Sequence, residues 1–160
     1  MLYYTGVGSR NTPKDILLLM ELIAQKMYNS GVCLRTGDAF GADKAFVIGS
    51  NGLNRIYTTN DTTTTSMLMA KKFHGAWNRL SPFAQKLHGR NPFQVLGKKL
   101  NDPSVSLICW TPDGCISHRY RTKKTGGTGT AISIADDNGV RVHNLKNAKT
   151  MKSFEEFIKE

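Results

Sequence analysis

Residues 125–139 read TGGTGTAISIADDNG, with three glycines in four positions just before a helix-like run. Glycine weakens both helices and strands, so such a run has its value elsewhere. The chemistry it suits is anion binding. A helix start leaves backbone N–H groups unpaired and carries a partial positive charge. Missing side chains let phosphate oxygens reach those N–H groups, and the hydroxyls of Thr128 and Thr130 add donors. Two more loops share the pattern. TGVGSRNTP (5–13) offers Gly8, Ser9 and the guanidinium of Arg10, and RTGDAFGADKAF (35–46) offers Gly37, Gly41, Ala42 and Asp43. Each loop alone is also ordinary turn chemistry. Three together, beside a surplus of basic residues, favour a phosphate cradle centred on Gly126, Gly127, Thr128, Gly129 and Thr130.

The approach to the third loop is basic. Arg119, Arg121, Lys123 and Lys124 form either a solvated loop or a mobile lid over a distal phosphate. Before them comes WTPDG (110–114), a proline–glycine turn. Trp110, with Thr111 after it, is either a buried strand end or a face for a base. The acids at hand are Asp43, Asp113, Asp136 and Asp137, and the histidines are His74, His88, His118 and His143. No pair of histidines, or histidine and cysteine, has metal-ligand spacing on one helix face, so neither metal nor cofactor is expected.

These loops need a scaffold. LYYTGVG (2–8) reads as a strand, and 11–31 as a helix with Pro13 at its first position, a Thr12–Asp15 capping box and a stop at Gly31. VCLRTGD (32–38), 41–52 and 54–59 continue as strand, helix and strand. This β-α-β-α-β order implies a parallel sheet covered by helices. SVSLICW (104–110) is the most apolar run and the expected central strand. A helix from the glycine run to Gly139, a strand over 140–145 and a helix over 153–160 capped by Ser153 complete the pattern. Residues 60–103 break it: a threonine run reads as an exposed loop, and helical patches follow. Basic residues there alternate with Phe73, Trp77, Phe83 and Phe93. The expectation is one Rossmann-like α/β domain over 1–160, with helices on both faces and a helical insertion at 60–103.

The 160 residues carry 22 basic against 12 acidic side chains, a net charge of +10. That surplus fits a nucleotide, a nucleic acid or an acidic surface as partner. There is no apolar run of about 18 residues to span a membrane. The first ten residues lack the features of a secretory signal, and three cysteines do not make a disulfide framework, so a reducing cytoplasm is expected.

GVGSR closing the first strand, LRTGDAFGADKAF at the second and GGTGTA opening a late helix resemble the SLOG superfamily. Its members include the DprA (Smf) DNA-processing proteins and LOG-type nucleotide phosphoribohydrolases. The pattern is most similar to small phage-type DprA-like proteins, over about 1–59 and 104–145. The resemblance implies a Rossmann-like sheet whose glycine loops hold a nucleotide or nucleic-acid phosphate. Gly8, Ser9 and Arg10 would contact phosphate, Asp43 ribose hydroxyls, and 126–130 would be the main cradle. It also implies self-association, and a host-cell cytoplasm if the chain is phage-encoded. One departure stands out: LOG enzymes carry PGGxGTxxE, whereas TGGTGTAIS here puts Thr125 in place of the proline and Ser133 in place of the catalytic glutamate. Asp136, one turn on, is the nearest acid.

Three functions follow as expectations. The first is non-catalytic capture of a phosphate-containing ligand, such as a nucleotide, cyclic nucleotide or ADP-ribose-like signal, up to its sequestration. The second is DprA-like binding of single-stranded nucleic acid by the basic-aromatic row of 71–99. The third is a LOG-like N-glycosidase with altered catalytic residues.

Overall fold

The strands β1 (Tyr3–Gly6), β2 (Cys33–Thr36), β3 (Asn54–Ile56), β4 (Leu107–Cys109) and β5 (Val142–Asn144) form one sheet in a computed structural model describing residues 1–160. The sheet order is β3-β2-β1-β4-β5 and every pairing is parallel. Parallel neighbours need crossovers, and helices supply them. The helices α1 (Lys14–Asn29) and α2 (Ala42–Gly49) connect the first three strands, and α6 (Thr128–Asp137) connects β4 to β5. Between β3 and β4 lie α3 (Thr64–Lys72), α4 (Pro82–Gly89) and α5 (Asn91–Leu96), while α7 (Ala148–Phe157) closes the chain. The architecture is the expected Rossmann-like α/β fold. No helix is long and apolar enough to cross a membrane.

Two apolar layers flank the sheet. One joins Tyr4, Leu34 and Ile108 to Ile16, Met20 and Ile23 of α1 and Phe46 of α2. The other joins Leu107 and Cys109 to Val95 and Leu96 of α5 and Ile132 and Ile134 of α6. Each fully buried branched side chain contributes about 1.5–3 kcal/mol. The periodicity of α1 is borne out, since Ile16, Leu19, Met20 and Ile23 are all buried.

Several local expectations are corrected. Pro13 is the extended residue before α1 and not its first turn, and no capping box forms there. The Thr12 hydroxyl instead donates to the Ser9 carbonyl at 2.6 Å. The threonine run is no open loop, because Thr63 accepts from the Ser66 N–H and starts α3. The last helix begins at Ala148, so Ser153 lies inside it and Asn147 precedes it. The strand expected at the centre, β4, is fully buried but stands beside β1, which takes the middle place. All six residues of α5 are buried. The 60–103 segment therefore covers the sheet as part of the helix layer on that face.

Candidate functional site

The chain winds outward in opposite directions from β1 and β4, and the loops leaving these two strands part at that switch point. In parallel sheets this is where ligands bind. A cavity of about 690 Å³ opens there. Its lining comes from four places: the β1–α1 loop, the β2–α2 corner, the α4–α5 corner and the start of α6.

The α6 start is built from open main chain. Gly126 takes φ 64°, a left-handed conformation that costs glycine little. A Cβ at Gly126 or Gly127 would meet nothing within 4 Å, so the space over both is free. The N–H groups of Gly126, Gly127 and Thr128 donate to no protein acceptor. Consecutive free N–H groups at a helix start make an anion nest. Lys123, Lys124 and Arg10 line the same cavity. From the first loop come Gly8 and Ser9, whose hydroxyl oxygen accepts from the Asn11 N–H at 3.0 Å. A Cβ on Gly8 would stand 2.7 Å from the Ala42 Cβ, so this glycine lets α2 seat against the loop.

Asp113 holds the lysine-bearing segment in place. It accepts from the hydroxyls of Thr111 and Thr122 at 2.8 Å and from that of Thr125. Burial alone would raise its carboxyl, but these bonds outweigh it and hold the group below the usual carboxylate range.

The remaining lining is polar side chain. Asp43, His88, Arg90, Asn91 and Gln94 all face the cavity. Asp43 is the sole carboxylate among the lining residues, and burial pushes it up to about 6, against a lowering hydrogen bond from the Ala39 N–H and the nearby Arg90. Arg90 pairs with Asp38. Gly37 is the point where these groups converge: a Cβ there would lie 2.7 Å from both Asp43 Oδ2 and Gln94 Nε2. The Gln94 Oε1 and Arg90 Nε atoms are buried without partners. His88 is driven down to about 4, mainly by burial and also by His74, Arg121 and Arg90, so it is neutral at pH 7. Its Nδ1 lies 2.9 Å from the Thr130 hydroxyl, which ties α4 to the first turn of α6.

Of the expected site residues, the cavity brings together Gly8, Ser9, Arg10, Asp43, Lys124, Gly126, Gly127 and Thr128. Gly37, Gly41 and Ala42 shape its surroundings without lining it. Gly41 sits behind the backbone of Ser9 and Arg10. The others are placed elsewhere. Trp110 is buried in the apolar layer of α1 and α2, where its carbonyl accepts from the Ser9 N–H. Thr111 is fully buried and bonds Asp113 and Asn144. Arg119 is exposed, away from the cavity. Arg121 donates to the Phe73 carbonyl at 2.6 Å and to Ser133 Oγ at 3.0 Å, filling the space beside Gly129. Thr130 is buried against His88.

Ser133 is fully buried and meets His118 Nδ1 at 2.7 Å, while Asp136 accepts from the His118 N–H. This serine–histidine pair knits the 117–121 loop to α6, and neither residue nor Asp136 lines the cavity. Of the basic-aromatic row, Trp77 and Phe93 are buried and Phe73 packs against the second core, which leaves Phe83 exposed. Sequence reasoning passed over Arg90, Asn91 and Gln94. Their signal was three polar residues around Pro92 and Phe93 in RNPFQ, at the start of a helix that is buried throughout. No three histidine, cysteine or acidic residues are grouped to hold a metal ion. Comparison with family models, curated proteins and solved structures gives no match.

Proposed function

We propose that the chain captures a phosphate-containing ligand of the nucleotide type in the 690 Å³ cavity at the β1–β4 switch point. The observation that carries this reading is the run of three unpartnered N–H groups at Gly126, Gly127 and Thr128, open to space and flanked by cationic side chains. Hydrogen bonds to a charged group contribute about 1.5–3 kcal/mol each, so three of them suffice to orient a phosphate. Behind the cradle, Gln94, Asn91 and Asp43 offer both donors and acceptors, which suits ribose hydroxyls or the edge of a base. Capture is favoured over turnover because Ser133 offers no carboxylate and faces away from the cavity.

Calorimetric titration against a panel of mono-, di- and cyclic nucleotides and ADP-ribose tests the reading. Saturable binding by the wild-type chain, lost in Gly127→Asp, is the expected result. Heatless titrations across the panel would remove it.

A second reading, cleavage of an N-glycosidic bond, is favoured by one observation: the cavity holds a buried carboxyl poised near neutrality, Asp43. Chromatography for free base after incubation with nucleoside monophosphates tests it, with Asp43→Asn as the control.

A further inference from the structure

A second cavity of about 610 Å³ lies over the face of β1, β2 and β3, beside the segment that follows α5. It shares no lining residue with the first. Arg35, in the middle of β2, is 3% exposed, an unusual place for a guanidinium. Its ring-side support is Tyr3, whose centroid lies 4.0 Å from Cζ. Asp102 accepts from Arg35 Nη2 at 2.9 Å, but Arg35 Nε has no partner.

The register sharpens the oddity. Arg35 stands directly opposite Arg55 in the β2–β3 pairing. Like charges in that position repel and weaken a sheet unless an anion lies between them. Asp102 answers Arg35, whereas Arg55 is in no salt bridge and donates only to the neighbouring Asn54 carbonyl. Lys98 and Lys99 complete the cationic set, so four basic residues line the cavity against two acids, Asp61 and Asp102. Tyr57, stacked at 5.5 Å on the buried Phe93, adds an aromatic wall. The surplus of two positive charges matches the charge of a phosphate dianion.

We propose that this cavity is a second, separate phosphate-binding site, gripped by Arg55, Lys98 and Lys99 and backed by the buried Arg35. The phosphate belongs either to a small phosphorylated molecule or to the backbone of a single nucleic-acid strand, since both present the same anionic oxygens.

Amide-resolved NMR titration of the whole ¹⁵N-labelled chain with inorganic phosphate, beside sodium chloride of equal ionic strength, tests the proposal. Saturable shifts at Arg55, Tyr57, Lys98 and Lys99 are expected with phosphate and not with chloride. They persist in Gly127→Asp, which blocks only the first cradle. In Arg55→Gln they weaken at least about tenfold while the Gly126–Thr128 response stays within about twofold. Lys98→Gln with Lys99→Gln gives the same loss without touching the sheet. Thymidine monophosphate and a ten-residue oligothymidylate then separate the sources: tighter, salt-steep binding of the oligomer assigns a strand, and equal or weaker binding assigns a small molecule. Amides that ignore phosphate, that follow chloride equally, or that respond undiminished in both variants overturn the site.

Discussion

One wall of the first cavity is main chain, the N–H groups of Gly126, Gly127 and Thr128, and another is side chain, drawn from Asp43, His88, Arg90 and Gln94. The main-chain wall has no group that titrates near neutrality, and a Cβ on either of its two glycines would meet no neighbour. The side-chain wall is crowded and titratable. The difference teaches that bare main chain and packed side chain answer substitution differently: a Cβ added at Gly126 or Gly127 meets open space, whereas one added at Gly37 meets Asp43 and Gln94.

The sharpest break of that comparison is a pair of glycine variants. Gly127→Asp places a carboxylate in the anion nest and weakens nucleotide binding about 100-fold or more. Its Tm changes by less than about 2 °C, because the new Cβ meets no neighbour. Gly37→Ala does the reverse to the protein itself. Its Cβ collides with Asp43 and Gln94, which costs about 1–3 kcal/mol and lowers Tm by roughly 3–8 °C in a thermal melt. Equal melting of the two variants would erase the distinction between the walls.

Acid unfolding sharpens it further, and the two titrating groups act with opposite sign. Asp43 rises from an ordinary 3.8 to about 6 on folding. The folded state then binds the proton first, so stability from this group grows as pH falls from 6 to 4 and is withdrawn as pH rises. At pH 7 its burial as a carboxylate costs about 2–3 kcal/mol, which Asp43→Asn recovers in denaturant melts. His88 falls from 6.5 to about 4. The unfolded state binds that proton first, so stability drops as pH falls from 6.5 to 4, and His88→Gln flattens that limb.

The smallest effect belongs to Asp113, which supports the main-chain wall from beneath. Asp113→Ala frees the hydroxyls of Thr111, Thr122 and Thr125. Water replaces part of the loss, so amide exchange over 122–128 speeds by about tenfold and nucleotide affinity falls about 3–10-fold. Unchanged exchange would mean the segment holds its shape by other contacts.

The fold was legible where periodicity and apolar runs carried it. The buried stripe of α1, the alternation of strand and helix to residue 59, and the apolar β4 all follow from residue type alone. The open main chain at Gly126 and Gly127 was legible for a related reason, because glycine leaves a backbone bare whatever surrounds it. The side-chain wall was not. Arg90 and Gln94 read as ordinary polar residues of an inserted segment, and only the packing of α5 onto the sheet brings them beside Asp43. Trp110 stayed open for the same cause: an aromatic at a strand end has two exits, and core packing against α1 and α2 chose the inner one. Arg121 was drawn off by Ser133 and the Phe73 carbonyl, partners that no local spacing announces.

The tie between His88 and Thr130 links the two walls through one hydrogen bond of 2.9 Å. A charged imidazole carries a hydrogen on Nδ1, so the bond then runs only from His88 to the threonine oxygen. A proton arriving on α4 thereby fixes the direction of a bond that ends in the first turn of α6, next to the unpartnered N–H groups of Gly126, Gly127 and Thr128.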